Sequence, residues 1–152
     1  MTNYPSNDYH IWFIRLLADG DIFALDKVYF PINQVNQHWA CVVVHMQERR
    51  IQYLDSLGGK GMAPHYVEAI FRYLEDEHQD KKNSPLPNKE EWTRETCTAT
   101  IPKQLNGCDC GAFVCMFIDR LARGLPMDFG QQDIYYFRRK IALSILNNEL
   151  WE

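Results

Sequence analysis

The chain has no apolar run approaching the roughly 18 residues that a membrane-spanning helix requires. Its opening, Met1-Thr2-Asn3-Tyr4-Pro5, has neither the basic nor the apolar region of a secretory signal. Positive charge is not in excess: 16 Lys and Arg stand against 20 Asp and Glu, for a formal charge of −4. Nucleic acid is therefore not expected as a partner, because phosphate backbones demand clustered cations. A membrane is not expected either. Cysteine is scarce and odd in number, five in all, whereas a secreted disulfide framework uses an even set in a smaller chain. These absences predict a reducing compartment, nucleus or cytoplasm. No internal repeat is visible.

What remains is an ordinary globular composition, 46% hydrophobic, 13% aromatic and 24% charged in 152 residues. That length predicts one domain over 1–152, able to bury roughly 70% of its unfolded surface without staples. Residues 23–33 read as a strand ending at Pro31-Ile32-Asn33. Residues 39–45, Trp-Ala-Cys-Val-Val-Val-His, form the short β-branched run of a buried strand. Residues 47–50 are the turn and 51–54 the return strand, with the glycines at 58, 59 and 61 breaking the sheet. A helix follows, with Pro64 near its start and Val67, Ile70, Phe71 and Leu74 on one face. It ends in a polar, proline-bearing loop over 80–87. Residues 92–101 alternate with threonines and read as another strand. Cys110, Phe113, Val114, Phe117, Ile118 and Leu121 make a helical stripe with Gly124 as its stop. A last helix carries Ile134, Phe137, Ile141 and Ile145. The order predicts an α+β domain whose cysteine-bearing helix follows the sheet.

Chemistry concentrates in Gln104-Leu105-Asn106-Gly107-Cys108-Asp109-Cys110-Gly111. An unperturbed thiol is only about 3% thiolate at pH 7. A helix N-terminus and a nearby imidazolium both favour the anion, and Cys110 is placed to receive both. Most free cysteines are small buried hydrophobes, and Cys41, Cys97 and Cys115 are read that way. His38 sits where a loop enters a strand, a station for a general base, with His10, His45, His65 and His78 as competitors. Trp39 beside it screens the imidazole from water. Asp55 in the next strand is the carboxylate that would fix its tautomer. A turn centred between Glu48 and Arg49 sets Asp55 opposite Val42, on the same face as His38. That leaves roughly 13 Å along the strand, a gap for twist, a bulge or a shifted register to close. Gln104 offers an amide to an oxyanion beside the Cys110 backbone N–H. Asp109 is read as a helix cap.

These motifs resemble the SUMO-specific proteases, also called sentrin- or ubiquitin-like-protein-specific proteases, of the papain-like group. The resemblance rests on His38-Trp39, Tyr53-Leu54-Asp55-Ser56 and 104–111, with Asp21-Ile22-Phe23, Pro31-Ile32 and Tyr136-Phe137-Arg138-Arg139 as flanks. It covers about residues 21–150. It implies a papain-like fold with a central mixed or antiparallel sheet flanked by helices. Carried over, Cys110 is the nucleophile, His38 the base, Asp55 the orienting acid and Gln104 the oxyanion donor. Trp39 would line a channel for a diglycine tail, through which only glycine backbone passes between aromatic walls. The implied reaction is hydrolysis after that diglycine, in precursor processing or deconjugation from lysine. The implied partner is SUMO, or another ubiquitin-like protein such as the Nedd-type modifier, with its conjugates. The chemistry calls for no cofactor and no metal, and nothing suggests more than a monomer.

The pattern departs from the family at its start. Members carry an N-terminal Trp-Leu-x-Asp-like motif whose tryptophan lids the diglycine, and no tryptophan here falls at that position. Pro5-Ser6-Asn7-Asp8 is one candidate remnant; alternatively residues 9–20 match a later helix, and Trp12 is too far along to substitute. That absence motivates a rival reading, a catalytically impaired module that binds a ubiquitin-like protein without cutting it. Cys97, Cys108, Cys110 and Cys115 could instead form a metal site, although C-x-C-x₄-C lacks paired C-x₂-C knuckles. The same catalytic parts also serve acyl transfer in other papain-like proteins.

Overall fold

The computed structural model describes residues 20–59, 61–96 and 100–149. Readings that fall on Pro5-Ser6-Asn7-Asp8, His10, Trp12 and Cys97 lie outside the described residues. Three strands, β1 (Lys27–Gln34), β2 (His38–His45) and β3 (Arg50–Leu54), make an antiparallel meander. A fourth, β4 (Thr93–Glu95), adds parallel to β3, giving the order β1-β2-β3-β4. Between β3 and β4 runs α1 (Ala63–Lys82); α2 (Cys110–Ala122) and α3 (Ile134–Asn147) follow.

Alternation along β2 divides the interior in two. Ala40, Val42 and Val44 join Ile51 and Tyr53 of β3 under Tyr66, Val67, Ile70, Phe71 and Leu74 of α1. Cys41, Val43 and Leu54 join Phe113, Val114 and Phe117 of α2, backed by Phe129 and Ile134. A strand buried on both faces reads as a continuous apolar run, which is why 40–44 has no polar residue. Each fully buried Ile, Leu or Phe contributes about 1.5–3 kcal/mol, so the two helices hold the sheet rigidly from both sides. The architecture is α+β with a mixed sheet flanked by helices.

Several local expectations need correction. Residues 22–24 form a single 3-10 turn, and β1 begins only at Lys27. The α1 helix runs through Lys82, three residues into the expected loop, and closes on left-handed Asn83. Of the strand expected over 92–101, only Thr93–Glu95 pairs with the sheet among the described residues. Cys115 is exposed. It lies off the stripe that buries Phe113, Val114 and Phe117, and Met116 takes the inward position instead. The last helix buries Ile134 and leaves Ile145 75% exposed; among the described residues Ile134 and Phe137, in its first turn, join the α2 and Phe129 cluster.

The decisive correction is register. Leu54 pairs with Cys41 and Arg50 with His45, so the turn centres between Gln47 and Glu48, one position earlier than expected. Continuing that pairing sets Asp55 across from Ala40 rather than Val42. The distance to be closed along the strand falls to two residues, roughly 7 Å. Twist and side-chain reach cover the rest.

Candidate active site

His38 opens β2 and Asp55 follows β3, so both stand at the same end of the sheet. The His38 Nε2 lies 2.7 Å from Asp55 Oδ1. Asp55 is buried and its carboxylate is fully engaged: Oδ1 also accepts the Leu57 N–H at 2.8 Å, and Oδ2 accepts the Tyr53 hydroxyl at 3.2 Å. Tyr53 in turn accepts from Gln34 Nε2 at 2.7 Å. Burial, and then the neighbouring Asp55 charge, push the Tyr53 hydroxyl pKa up, so it stays a donor. Lys103 Nζ holds the Asp55 carbonyl at 3.0 Å. The carboxylate therefore cannot swing away from the imidazole without breaking several bonds.

Cys110 is the first residue of α2 and is 6% exposed. Among the described residues its thiol makes no hydrogen bond, a common state for catalytic contacts in an unliganded site. The strand bearing His38 reaches this helix through Trp39: its indole Cδ1 lies 3.8 Å from where a Cβ on Gly111 would stand. Trp39 itself is 37% exposed, an aromatic wall open to solvent at the helix start.

The loop before Cys110 is wired by side chains. Gln104 is buried; its Oε1 accepts the Ser56 hydroxyl at 2.6 Å, and its Nε2 donates to the Asn106 carbonyl at 2.5 Å. One amide hydrogen is left for a further acceptor. Asn106 Oδ1 accepts the backbone N–H groups of Cys108 and Asp109, each at 3.1 Å, which folds 106–109 into a tight turn.

Asp109 is not the helix cap it was expected to be. It occupies the cap position, yet its side chain accepts nothing from α2. Its Oδ2 takes Asn106 Nδ2 at 2.6 Å and Gln131 Nε2 at 2.7 Å, and its Oδ1 takes Arg138 Nε at 2.8 Å. These donors, Asn106 first and then Arg138 and Gln131, hold the Asp109 carboxyl below the usual carboxylate range. Arg138 Nη2 also donates to the Cys108 carbonyl at 2.9 Å, and Gln131 Oε1 accepts the Leu105 N–H at 2.7 Å.

All five residues read from the sequence, His38, Trp39, Asp55, Gln104 and Cys110, thus collect at one end of the sheet and its adjoining loop. Bonds join His38 to Asp55, and Gln104 to Ser56. Lys103 and Gln131 are not read from the sequence, and Ser56 and Arg138 stand there only inside family-like motifs, without a role. Ser56 carries a signal in hindsight, standing directly after the Tyr53-Leu54-Asp55 strand end. Gln131 carries none locally and Arg138 only its place in Tyr136-Phe137-Arg138-Arg139, since their partners lie more than twenty positions away. No three His, Cys, Asp or Glu side chains converge as a metal site among the described residues.

This frame of sheet, histidine–carboxylate pair and helix-borne cysteine is the papain-like arrangement. The chain belongs to the Ulp1 protease family: that family's C-terminal catalytic domain matches residues 4–149. Sentrin-specific protease 2 of Homo sapiens is 38% identical over 132 residues, 86% of this chain and 22% of that protein. Ubiquitin-like-specific protease 1A of Arabidopsis thaliana is 39% identical over 121 residues, 80% of this chain and 23% of that protein. Among solved structures, the C-terminal Ulp1 protease domain in complex with Smt3, the yeast ortholog of SUMO, superposes with a TM-score of 0.68. It is 30% identical, over 81% of this chain and 53% of the other. The chain thus spans about a fifth of its curated relatives and about half of that solved domain.

Proposed function

We propose that this chain is the catalytic core of a cysteine peptidase that hydrolyses the bond following the C-terminal diglycine of SUMO. The bond cleaved is a peptide bond in a precursor or an isopeptide bond to a substrate lysine. The observation that carries this reading is the His38 Nε2–Asp55 Oδ1 pair at 2.7 Å, standing at the same end of the sheet as a helix that begins with Cys110. The relative solved with Smt3 supports the choice of modifier.

In the proposed reaction Asp55 occupies Nε2 of His38 and leaves Nδ1 to take the Cys110 proton. The thiolate attacks the terminal glycine carbonyl. The oxyanion is received by the Cys110 backbone N–H and the free amide hydrogen of Gln104, whose orientation Ser56 fixes. His38 returns its proton to the leaving amine, and then activates the water that releases the modifier. Trp39 forms a wall against which a side-chain-free tail can lie. No step calls for a metal or a cofactor.

A SUMO probe ending in diglycine and a thiol-reactive group tests the assignment. One equivalent is expected to attach at Cys110, and Cys110→Ala is expected to lose both labelling and cleavage by at least about 10⁴-fold. Labelling that persists in Cys110→Ala, or tight binding of the probe by the wild type without any labelling, would overturn it.

A further inference from the structure

The start of α2 is bare. Its first intrahelical bond runs from the Phe113 N–H to the Asp109 carbonyl at 3.0 Å. The N–H groups of Cys110, Gly111 and Ala112 precede it, and among the described residues no side chain caps them. Aspartate is among the best capping residues, and one stands at the cap position, yet its carboxylate is turned away toward Asn106, Gln131 and Arg138.

An ordinary cap would harm this site in two ways. It would occupy the N–H groups that make the helix end attractive to an anion. It would also set a negative charge beside the thiolate, where like charges disfavour ionisation. Arg138 opposes both. Its guanidinium donates to Asp109 Oδ1 through Nε at 2.8 Å and through Nη2 at 2.7 Å, and Nη2 reaches the Cys108 carbonyl at 2.9 Å.

We infer that Arg138 of α3 is a positioning residue for the nucleophile, holding the Asp109 carboxylate off the N-terminus of α2 and neutralising it there. This rests on Cys110 being the nucleophile. Among the described residues Arg138 makes no hydrogen bond to the Cys110 thiol; it acts through Asp109 and the Cys108 carbonyl. The other charged or titratable groups disposed around this end of α2 are His38 on β2, Asp55 after β3, Lys103 on the Asp55 carbonyl and the Cys108 thiol. His38 and Asp55 pair with each other. Among the described residues Arg138 is the one cationic partner of Asp109.

The experiment measures the pH dependence of Cys110 alkylation by iodoacetamide, read on the Cys110 peptide by mass spectrometry so that the other thiols do not contribute. No modifier is present, so the result is independent of substrate identity. If Cys110 were not the nucleophile, Cys110→Ala would keep its activity whatever the alkylation showed. Arg138→Gln is expected to raise the alkylation midpoint by about half a pH unit or more. It should also lower kcat several-fold while leaving KM within about twofold. Arg138→Lys, which keeps the charge but not the forked geometry, should hold the midpoint and lose part of kcat. The double variant Arg138→Gln with Asp109→Asn should return the midpoint to that of the wild type. A merely structural arginine predicts no such rescue. An unchanged midpoint in folded Arg138→Gln, or a double variant as displaced as the single one, would overturn the inference. Asp109→Asn alone keeps it open to refutation if Arg138→Gln does not fold: a raised midpoint there contradicts it directly.

Discussion

β2 begins and ends with a histidine, and the two ends of this one strand show what a residue's companions decide. His38 faces the Asp55 carboxylate at 2.7 Å, at the end of the sheet where the Cys110 helix starts. His45 is 3% exposed beside the 46–49 turn, where its Nε2 has only the neutral Gln52 amide at 3.3 Å and its Nδ1 has no hydrogen-bond partner. The Glu48 carboxylate stands 3.8 Å away but is largely in solvent. Burial, and then Arg50, push the His45 pKa down, which keeps that ring neutral. One imidazole is coupled to an anion and can carry a proton through a reaction. The other is a packed aromatic ring with an unsatisfied atom. Sequence chemistry is identical at both ends; the neighbours assign the duty.

Replacing the companion should break this contrast most severely. Asp55→Asn removes the anion facing His38 while keeping its shape, and kcat/KM for a SUMO precursor is expected to fall by about 10²- to 10⁴-fold. A loss under about fivefold in a folded variant would mean the pair is structural, and the two histidines would no longer differ in kind. Next in size is Gln104→Ala, which deletes the amide oriented by Ser56. It is expected to cost about 10²- to 10³-fold in kcat, with KM little changed. Single-turnover rates measure this directly; an effect confined to KM would remove Gln104 from the oxyanion site.

The smallest effect belongs to the far end of the strand. A histidine whose folded pKa is depressed contributes stability that is fully present above its unfolded value, about 6.5, and lost as pH falls toward the folded value. Thermal midpoints of the wild type should therefore decline below about pH 6.5. His45→Gln should lessen that slope between pH 7 and 5 without altering activity at neutral pH. Equal slopes in the two proteins would show that His45 titrates freely.

Much of the site was legible because short-range chemistry marks it. Gln104, Cys110 and the intervening Asn106-Gly107 lie within one loop, and the apolar stripe after Cys110 announces a helix whose first residue is the thiol. His38 and Asp55 were legible as types at strand ends, but not as a bonded pair. A slip of the turn by one position moved the partner of Asp55 from Val42 to Ala40, and nothing in the four polar residues at 47–50 distinguishes the two registers. Cys115 was misjudged as buried because an apolar helix was treated as apolar all round, when its phase turns that residue outward. Ile145 was misjudged because periodicity says which residues share a face, not whether anything covers that face.

By itself the amino-acid order determined the two-sided strand over 39–45, the helix that starts at Cys110, and the set of polar residues gathered before it. Those follow from periodicity, β-branching and backbone preferences acting over a few residues. Only the folded chain decided that the Asp109 side chain, at the cap position, would turn to Arg138 and Gln131, and that Tyr53, Lys103 and the Leu57 N–H would lock Asp55. The contacts of Asp109 with Arg138 and Gln131, and of Lys103 with Asp55, join segments twenty to fifty positions apart, while those of Tyr53 and Leu57 with Asp55 are local but depend on how the strand end turns. Their geometry depends on how helices and sheet pack, and on the demand that each buried polar group find a partner, conditions that no local window of sequence contains.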